Sequence, residues 1–268
     1  MEQKQHLISV IMPVYNAART LPDSAASVLN QSYDNVELIL INDGSRDNSL
    51  DICRKIAAKD GRVKVLTQEN AGPAIARNAG LDAAAGEYVM FADSDDFFAP
   101  GAFAAMAQAM EQCDLVIAHY YFDLGKTSSP KGLLQGDQTL NEQEFLMALM
   151  QRPGTFYFSA LWNKMYRTEL IRRQQVRFDS FLDWGEDFAF NMCYYHGVHS
   201  VALLDEPVYH YVKNPTSTSM RTLLNVPHSV QIKAKLYRYF KDLYVEKNLY
   251  EAHKRTIDKY IYNITLTE

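Results

Sequence analysis

Acidic side chains concentrate at one point of this 268-residue chain, in the run Asp93-Ser94-Asp95-Asp96. Asp93 and Asp95 stand two residues apart in a turn-like segment, which can direct both carboxylates toward one hard cation. Mg²⁺ and Mn²⁺ prefer such oxygen ligands and complete their coordination with substrate phosphates and water. Solvated turns use the same triplet, so the spacing alone leaves a metal site and an ordinary turn both open.

Other polar residues follow strand-like runs or begin helical ones. Pro13, Tyr15 and Asn16 end the first apolar run of the chain, and Asp43 ends the second. Asp43 begins an Asp-Gly-Ser sequence, which also suits a turn or a helix cap. Arg77 lies in a helical pattern. Its planar guanidinium can form paired hydrogen bonds to phosphate and base oxygens, but a surface arginine fits the helical pattern equally.

These residues are positioned by an alternation of strands and helices. We predict strands at residues 7–14, 36–42, 63–66, 87–92 and 114–121, with helices at 19–31, 48–59, 71–85 and 100–110. Strictly alternating elements predict right-handed crossovers and a parallel sheet. Ligands of open α/β sheets bind beyond the carboxyl ends of the strands, so the polar loops should converge on one sheet edge.

The second half of the chain is less regular. Residues 123–138 are rich in Gly, Ser, Lys and Pro, which predicts an irregular connection or a small inserted hairpin. Helical patterns follow at 141–150, 168–174 and 186–195. We expect two short strands at 199–203 and 208–212, and then a helical region from about residue 226.

Composition excludes several classes of protein. A net charge of -5 argues against a binder of nucleic acid, which needs a concentrated basic surface. No apolar run approaches the roughly 18 residues of a spanning helix. The N-terminus lacks a secretory signal pattern, so we expect a cytoplasmic protein. The C-terminal lysines and arginines predict a solvated helix face, with peripheral contact to the inner membrane face as the alternative.

Three segments resemble one known family. SVIMPVYNAARTL, VELILINDGSRDNSLDIC and ENAGPAIARNAGLDAAAGEYVMFADSDD together resemble the inverting family 2 glycosyltransferases of the GT-A fold. The match is close over residues 8–96 and looser through LWNKMYRTEL, WGEDFAFNM and YHYVKNPTSTS. The resemblance implies an α/β fold with a mostly parallel, Rossmann-like sheet flanked by helices. It also implies a nucleotide-sugar-binding half at 1–122, an acceptor-binding and catalytic half at 123–220, and a helical extension at 221–268.

The resemblance carries roles onto individual residues. It assigns to the nucleotide and its metal Pro13, Tyr15, Asn16, Asp43, Arg77, Asp93, Ser94 and Asp95. Asp43 would accept a hydrogen bond from the base, most often uracil in this family. Arg77 would help to hold the base or the diphosphate. Asp95 would ligate Mn²⁺ or Mg²⁺ directly, with Asp93 approaching the ribose and the metal.

Asp187 is the expected catalytic base. An acceptor hydroxyl is a poor nucleophile, so a carboxylate must take its proton as the new bond forms. Asp187 begins a helical pattern, and the helix dipole there favours the ionised carboxylate. An acidic pair that only charges the first helical turn is the alternative.

Two further groups complete the site implied by the resemblance. On the acceptor side it places Trp162, Asn163, Lys164, Trp184 and Glu186, although either tryptophan would also suit the core. Over the diphosphate it places His210, Tyr211 and Ser217. The sequence departs from the family pattern here, because Val212 and Lys213 stand where an arginine is expected.

The sequence therefore predicts a metal-dependent glycosyltransferase. It would move a hexose or N-acetylhexosamine from a UDP-sugar to a hydroxyl of a carbohydrate or lipid-linked glycan, with inversion, in synthesis of cell-surface polysaccharide or lipooligosaccharide. A catalytically silent nucleotide-sugar-binding module of the same fold is the main alternative. A sugar-nucleotide pyrophosphorylase would need a glycine-rich phosphate loop after the first strand, and PVYNAART has no glycine.

Overall fold

A computed structural model describes residues 5–133, 136–213 and 226–263, and within these ranges the strands form one mixed sheet. The strands are β1 (Ile8–Val14), β2 (Val36–Asp43), β3 (Val63–Gln68), β4 (Tyr88–Phe91), β5 (Phe97–Phe98), β6 (Leu115–Leu124), β7 (Thr127–Lys131), β8 (Gln138–Asn141), β9 (Lys164–Arg167) and β10 (Ser200–Val212). The helices are α1 (Leu21–Leu29), α2 (Ser49–Ala57), α3 (Pro73–Ala83), α4 (Ala102–Met110), α5 (Glu142–Gln151), α6 (Phe156–Ser159), α7 (Thr168–Arg173), α8 (Glu186–Tyr195), α9 (Val226–Glu246) and α10 (Tyr250–Asn263).

The first half of the sheet has the parallel architecture that the sequence predicts. Its strand order is β3-β2-β1-β4, and every neighbouring pair is parallel. All eight residues of β2 are buried, as expected for a strand with helices on both faces. The carboxyl ends of these strands therefore point to one edge of the sheet.

The second half adds antiparallel strands to the parallel first half, within the mostly parallel sheet that the family resemblance implies. The order continues β4-β9-β6-β10-β5, with β9 antiparallel to both of its neighbours and β10 parallel to β6. The four-residue β9 gave no distinct pattern in the sequence. The hairpin in residues 123–138 is confirmed, since β6 and β7 pair antiparallel.

The two short strands expected at 199–203 and 208–212 form a single strand, β10. Its pairing with β6 shifts register on both sides of Pro207. Proline cannot donate to a strand ladder, and it reads as a break in a sequence, yet the strand continues beyond the irregularity. The extended strand carries His210 and Tyr211 to the edge of the sheet where the acidic loop lies.

The helical region expected from about residue 226 consists of two helices, α9 and α10. Asn248, with a φ of 55°, lies between α9 and α10. The buried Leu236 and Phe240 of α9 pack in the same core cluster as Phe188 of α8. No helix among the described residues is long and apolar enough to cross a membrane.

Candidate active site

The acidic loop between β4 and β5 is fixed by hydrogen bonds from two other elements. The hydroxyls of Thr20 and Ser24 donate to the carbonyl of Ser94, at 2.8 and 3.0 Å. The backbone N–H of Asp93 donates to the Tyr209 hydroxyl of β10 at 3.0 Å. Ser94 thus anchors the loop through its backbone, and the neighbouring acidic side chains are held at the carboxyl edge of the sheet.

The carboxylates of this loop crowd one another. Asp95 is exposed and the Asp93 side chain is one-third exposed. Asp96 is buried, and its Oδ1 accepts from the N–H of Val212 at 2.7 Å. Burial, followed by the charges of Asp93 and Asp95, raises the pKa of Asp96 well above its usual range. Sequence reasoning gave Asp96 no role, because the burial of one member of an acidic run is not visible in the run.

The loop fits a divalent cation that shares its coordination with a substrate. No group of three or more histidine, cysteine or acidic side chains among the described residues could hold a metal ion alone. Mg²⁺ typically uses one or two carboxylates and takes its remaining ligands from phosphates and water. Asp93 and Asp95 would supply such a pair, and a cation between them would offset the negative charge that, after burial, raises the pKa of Asp96.

Arg77 joins this loop to the predicted catalytic base. Its Nη2 donates to Oδ1 of Asp93 at 3.1 Å, and its Nη1 donates to Oε1 of Glu186 at 3.0 Å and to Oδ1 of Asp187 at 2.9 Å. Its side chain is only 7% exposed. Burial acts to lower the pKa of Arg77, but the carboxylates of Asp187, Asp93 and Glu186 outweigh it and raise that pKa above its usual value.

The geometry around Arg77 differs from the expectation that it holds the base or the diphosphate. Both of its terminal nitrogens are engaged by carboxylates in this conformation. The guanidinium carbon also lies 5.5 Å from the ring centroid of Phe178. The sequence placed Arg77 near the site, but it could not show that its partners lie 109 and 110 residues away.

Asp187 lies in the first turn of α8, directly after Glu186. Gly185 precedes the helix with a φ of 78°, a conformation that favours glycine. Burial raises the pKa of Asp187 to about 8, although the guanidinium of Arg77 acts in the opposite direction. The charges of Glu186 and Asp93 raise it further. A carboxylate with a pKa near neutrality is well suited to take a proton.

The structure places Asn163 and Lys164 behind the site instead of on an acceptor-facing surface. Both have no exposed surface. The Lys164 ammonium donates to the carbonyls of Tyr157 and Ala160 and to Oδ1 of Asn163, at 2.6 to 2.9 Å. Asn191 of α8 also donates to the Ala160 carbonyl. These buried polar groups support the backbone beneath α8 and cannot touch an acceptor in this conformation.

The two tryptophans differ in their environments. Trp162 is 5% exposed and stacks between Tyr209 and Tyr211, with ring centroids 5.0 and 5.6 Å away. It belongs to the core, which was the alternative left open by the sequence. Trp184 is half-buried and packs at the edge of the core cluster that contains α8. A direct contact with an acceptor thus remains a prediction for Trp184.

Asp43 is held by the backbone that leads into α3. Its Oδ1 accepts from the N–H of Ala71 and from Nε2 of Gln68, both at 2.8 Å, and its Oδ2 accepts from the N–H of Gly72 at 2.9 Å. Asp43 is 3% exposed. It therefore shapes the loop before the Arg77 helix, and its contact with a base stays a prediction.

The end of β1 presents a more open surface beside Asp43. Tyr15 is 46% exposed, and Pro13 is partly buried. Asn16 adopts a positive φ of 51°, and its side chain accepts from the N–H of Arg46 at 2.8 Å. The exposed Tyr15 ring offers a face on which a nucleobase could stack.

The residues expected to close over the diphosphate lie at the end of β10. The His210 ring is stacked between Phe97 and Tyr121, at 4.3 and 4.4 Å between centroids. Its Nδ1 lies 2.9 Å from Oδ2 of Asp123. Ser217 lies outside the described residues. His210 is thus held beside the acidic loop by stacking and by one carboxylate.

Comparison with known proteins gives the family of this chain. Residues 9–175 match the family model for glycosyl transferase family 2. The chain is 31% identical over 265 residues to the glycosyltransferase EpsJ of Bacillus subtilis, a match that covers 95% of this chain and 74% of EpsJ. The chain therefore belongs to glycosyl transferase family 2, which confirms the resemblance seen in the sequence.

Solved structures give the same fold. The chain matches TarS 1–349 of S. aureus, solved with UDP-GlcNAc, with a TM-score of 0.76 and 23% identity over 96% of this chain and 71% of TarS 1–349. It matches the mannosyltransferase PcManGT of Pyrobaculum calidifontis, solved with GDP-Man and Mn²⁺, with a TM-score of 0.62 and 17% identity, covering 92% of this chain and 70% of PcManGT. The fold is that of the GT-A glycosyltransferases. The family match includes the acidic loop, whereas Glu186 and Asp187 lie beyond it.

Proposed function

We propose that this glycosyltransferase moves a hexose or N-acetylhexosamine from a UDP-sugar to a glycan hydroxyl, with inversion at the anomeric carbon. The observation that carries the proposal is the position of Arg77, whose guanidinium binds Asp93 of the acidic loop and Asp187 of α8 at once. A donor site and a base must be adjacent for a single displacement, and Arg77 spans the distance between them. Family membership supports the reaction class.

The proposed donor site lies between Tyr15, Asp43 and the acidic loop. Tyr15 offers an exposed ring for the base, and the carboxyl edge of a parallel sheet is where such folds bind nucleotides. TarS was solved with UDP-GlcNAc, which favours uridine, while PcManGT was solved with GDP-Man and Mn²⁺. A guanosine donor is thus the competing possibility that the donor screen must include.

Asp187 acts in the proposed mechanism as the general base. The acceptor oxygen attacks the anomeric carbon, its proton passes to the Asp187 carboxylate, and the bond to the diphosphate oxygen breaks on the opposite face. The configuration inverts and the nucleoside diphosphate leaves. Mn²⁺ or Mg²⁺ held by Asp93 and Asp95 would neutralise the charge that develops on the leaving oxygen.

We propose the acceptor as a chemical class. The family resemblance favours a carbohydrate or lipid-linked glycan in cell-surface polysaccharide or lipooligosaccharide synthesis. The basic face of α9 and α10 is proposed to be solvated, with peripheral membrane contact as the alternative. Flotation with vesicles of phosphatidylglycerol and phosphatidylcholine would decide between them.

A donor screen tests the proposal. Release of nucleoside diphosphate is measured for UDP-Glc, UDP-Gal, UDP-GlcNAc, UDP-GalNAc and GDP-Man, each with Mn²⁺ and with excess chelator, and with p-nitrophenyl β-glycosides as acceptors. We expect turnover of at least one UDP-sugar that the chelator abolishes. Asp187→Asn should bind UDP but transfer almost nothing, while the matched control Asp242→Asn, on the exposed side of α9, should behave as wild type.

Four outcomes would contradict parts of this proposal. Full activity in chelator would remove the metal from it, and normal transfer by Asp187→Asn would move the base elsewhere. UDP binding without turnover of any donor would instead favour a catalytically silent binding module. Turnover of GDP-Man alone would replace the uridine donor.

A further inference from the structure

Phe181 is the most exposed of the large apolar side chains that the structure describes. It is 85% exposed, in the segment that leads from Phe178 into α8. We call residues 179–185 the base-proximal loop, because it ends one residue before Glu186 and two before Asp187. An exposed phenylalanine on a surface loop is unremarkable when the loop is held loosely. Here the backbone of the loop is held at three points.

The first attachment joins the start of the loop to the helix of Arg77. Asn78 donates from Nδ2 to the carbonyl of Phe178, and the N–H of Phe178 donates back to Oδ1 of Asn78, both at 2.9 Å. The neighbouring Arg77 lies over the Phe178 ring, at 5.5 Å from its centroid. The same arginine binds Asp187, so the loop and the base share one support.

The second attachment comes from α9. Oδ2 of Asp179 accepts from the Tyr239 hydroxyl at 2.8 Å and pairs with the Lys235 ammonium at 2.5 Å. Burial acts against its charge, but Lys235, the N–H of Phe181 and Tyr239 together lower the pKa of Asp179 below its usual value. Oδ1 of Asp179 also accepts from the N–H of Phe181, at 3.0 Å. One carboxylate therefore fixes both the loop and the backbone of Phe181.

The third attachment is close packing at the end of the loop. Gly185 has a φ of 78°, and a Cβ at this position would come within 2.6 Å of the Leu236 side chain of α9. No larger residue fits without displacing Leu236. The helix that holds Asp179 thus also packs against the backbone that begins the helix of the base.

An exposed aromatic ring six residues before the proposed base, on a backbone held by Asp179, is suited to bind a substrate. The Lys235 ammonium lies 5.6 Å from the centroid of the Phe181 ring. The apolar C–H face of a pyranose packs well on an aromatic ring, and its hydroxyls can bond to charged neighbours. An anionic lipid surface fits less well, because the acidic Asp179 and Glu186 lie in this loop or directly after it.

We propose that Phe181 binds a pyranose ring of the acceptor, and that the C-terminal helix α9 forms part of the acceptor site by holding the base-proximal loop. This inference rests on the proposed function, since it concerns the acceptor of that reaction. It assigns to the C-terminal region a role in substrate binding that does not depend on membrane contact. Lys235 and Tyr239 are positioning residues, because they act through Asp179.

Kinetics of Phe181→Ala test the proposal. The probes are p-nitrophenyl β-glucoside, β-galactoside and N-acetyl-β-glucosaminide, and the donor is the one that the screen identifies. We expect the acceptor KM to rise about tenfold, a loss of about 1.4 kcal/mol in binding, with UDP affinity and donor hydrolysis by water unchanged. Phe181→Tyr should restore the acceptor KM. Leu124→Ala, which removes another exposed apolar side chain in the β6–β7 hairpin, should leave it unchanged.

Tyr239→Phe tests the role of α9. It removes one hydrogen bond from Asp179 and keeps the ring, so the chain should fold. We expect the acceptor KM to rise while UDP affinity stays constant, and the Phe181→Ala, Tyr239→Phe double variant should be no worse than Phe181→Ala alone. Additive losses would overturn the positioning role of Tyr239.

The remaining outcomes separate this inference from the proposed function. An unchanged acceptor KM in Phe181→Ala overturns the inference, as does a wild type that hydrolyses UDP-sugars but transfers to none of the glycosides. Loss of binding to phosphatidylglycerol vesicles with an unchanged KM would assign Phe181 to a membrane instead. A wild type that neither binds UDP nor turns over any donor overturns the proposed function itself.

Discussion

Replacement of Arg77 by methionine should disable the proposed catalytic base, Asp187, while leaving the proposed nucleotide site in place. The guanidinium makes contacts of 2.9 to 3.1 Å to Asp93, Glu186 and Asp187, and it is the largest influence that lowers the pKa of Asp187. Methionine keeps much of the side-chain volume but removes the charge. The structure therefore predicts a change in the pH dependence of transfer, and little change in UDP affinity.

The size of the effect follows from the ionised fraction of Asp187. With a pKa of about 8, about a tenth of the base is ionised at pH 7. Loss of an adjacent cation typically raises the pKa of a carboxylate by about 1 to 3 units. Each unit lowers the ionised fraction at a fixed pH about tenfold. Transfer at pH 7 should thus fall by about 10- to 1,000-fold. Removing one partner from a buried ion-pair network also costs about 3 to 5 kcal/mol of stability.

The assay is the pH profile of kcat/KM between pH 6 and 10, together with calorimetry of UDP binding and thermal unfolding of each variant. Arg77→Met should shift the rising limb to higher pH and recover part of its activity there. Arg177→Met, which breaks the exposed pair with Asp82, is the matched control. An unshifted profile with lost UDP affinity would refute this reasoning. It would instead favour the sequence-based expectation that Arg77 holds the nucleotide.

Three further predictions concern the carboxylates. Asp95→Ala should abolish the Mn²⁺ dependence of UDP binding, measured by calorimetry with and without the metal, while the fold stays intact. Because the pKa of Asp187 is raised in the folded protein, ionisation of its carboxyl opposes folding. The free energy of unfolding should therefore fall as the pH rises from about 4 to 8. Denaturant titrations of Asp187→Asn should show a smaller dependence of this free energy on pH. Asp96→Asn mimics a protonated carboxyl and should keep the affinity for Mn²⁺. Asp96→Ala loses the hydrogen bond from Val212, so its affinity for Mn²⁺ should be about 10- to 100-fold weaker, as when an outer-shell partner of a metal site is removed.

The sequence determined the donor half of the fold because its signals are local. Strands β1, β2 and β4 are buried, largely apolar runs followed by polar residues, and a proline stands in the first turn of α1 and of α3. The antiparallel β9 and the continuous β10 were not predictable, because their pairing depends on partners far along the chain and on a register shift around Pro207. Two-residue β5 is defined only by its pairing with β10.

The site was predictable as a set of loops, but not as a set of contacts. The acidic run and the Glu186-Asp187 pair are visible in the sequence, and the structure brings them together. Nothing local shows that Arg77 joins them, that Asp96 is buried, or that Lys164 faces the interior. Burial of a charged side chain depends on its acceptors. Those of Lys164 are the side chain of Asn163 and two backbone carbonyls, which any sequence could supply.

The contacts of Asp93 imply that donor binding prepares the base. Asp93 raises the pKa of Asp187 by its charge, and it shares Arg77 with that base. A cation bound at Asp93 would offset the negative charge of Asp93, and the positive charge of Arg77 would then stabilise the Asp187 carboxylate more strongly. The pKa of Asp187 should therefore fall from about 8 when metal and UDP are bound. The measurement compares two apparent pKa values, one from the pH dependence of kcat and one from the pH dependence of kcat/KM for the acceptor. Both are determined at saturating and at limiting Mn²⁺–UDP-sugar. A pKa that stays constant across metal concentrations would show that the two halves of the site are electrostatically independent, despite the arginine between them.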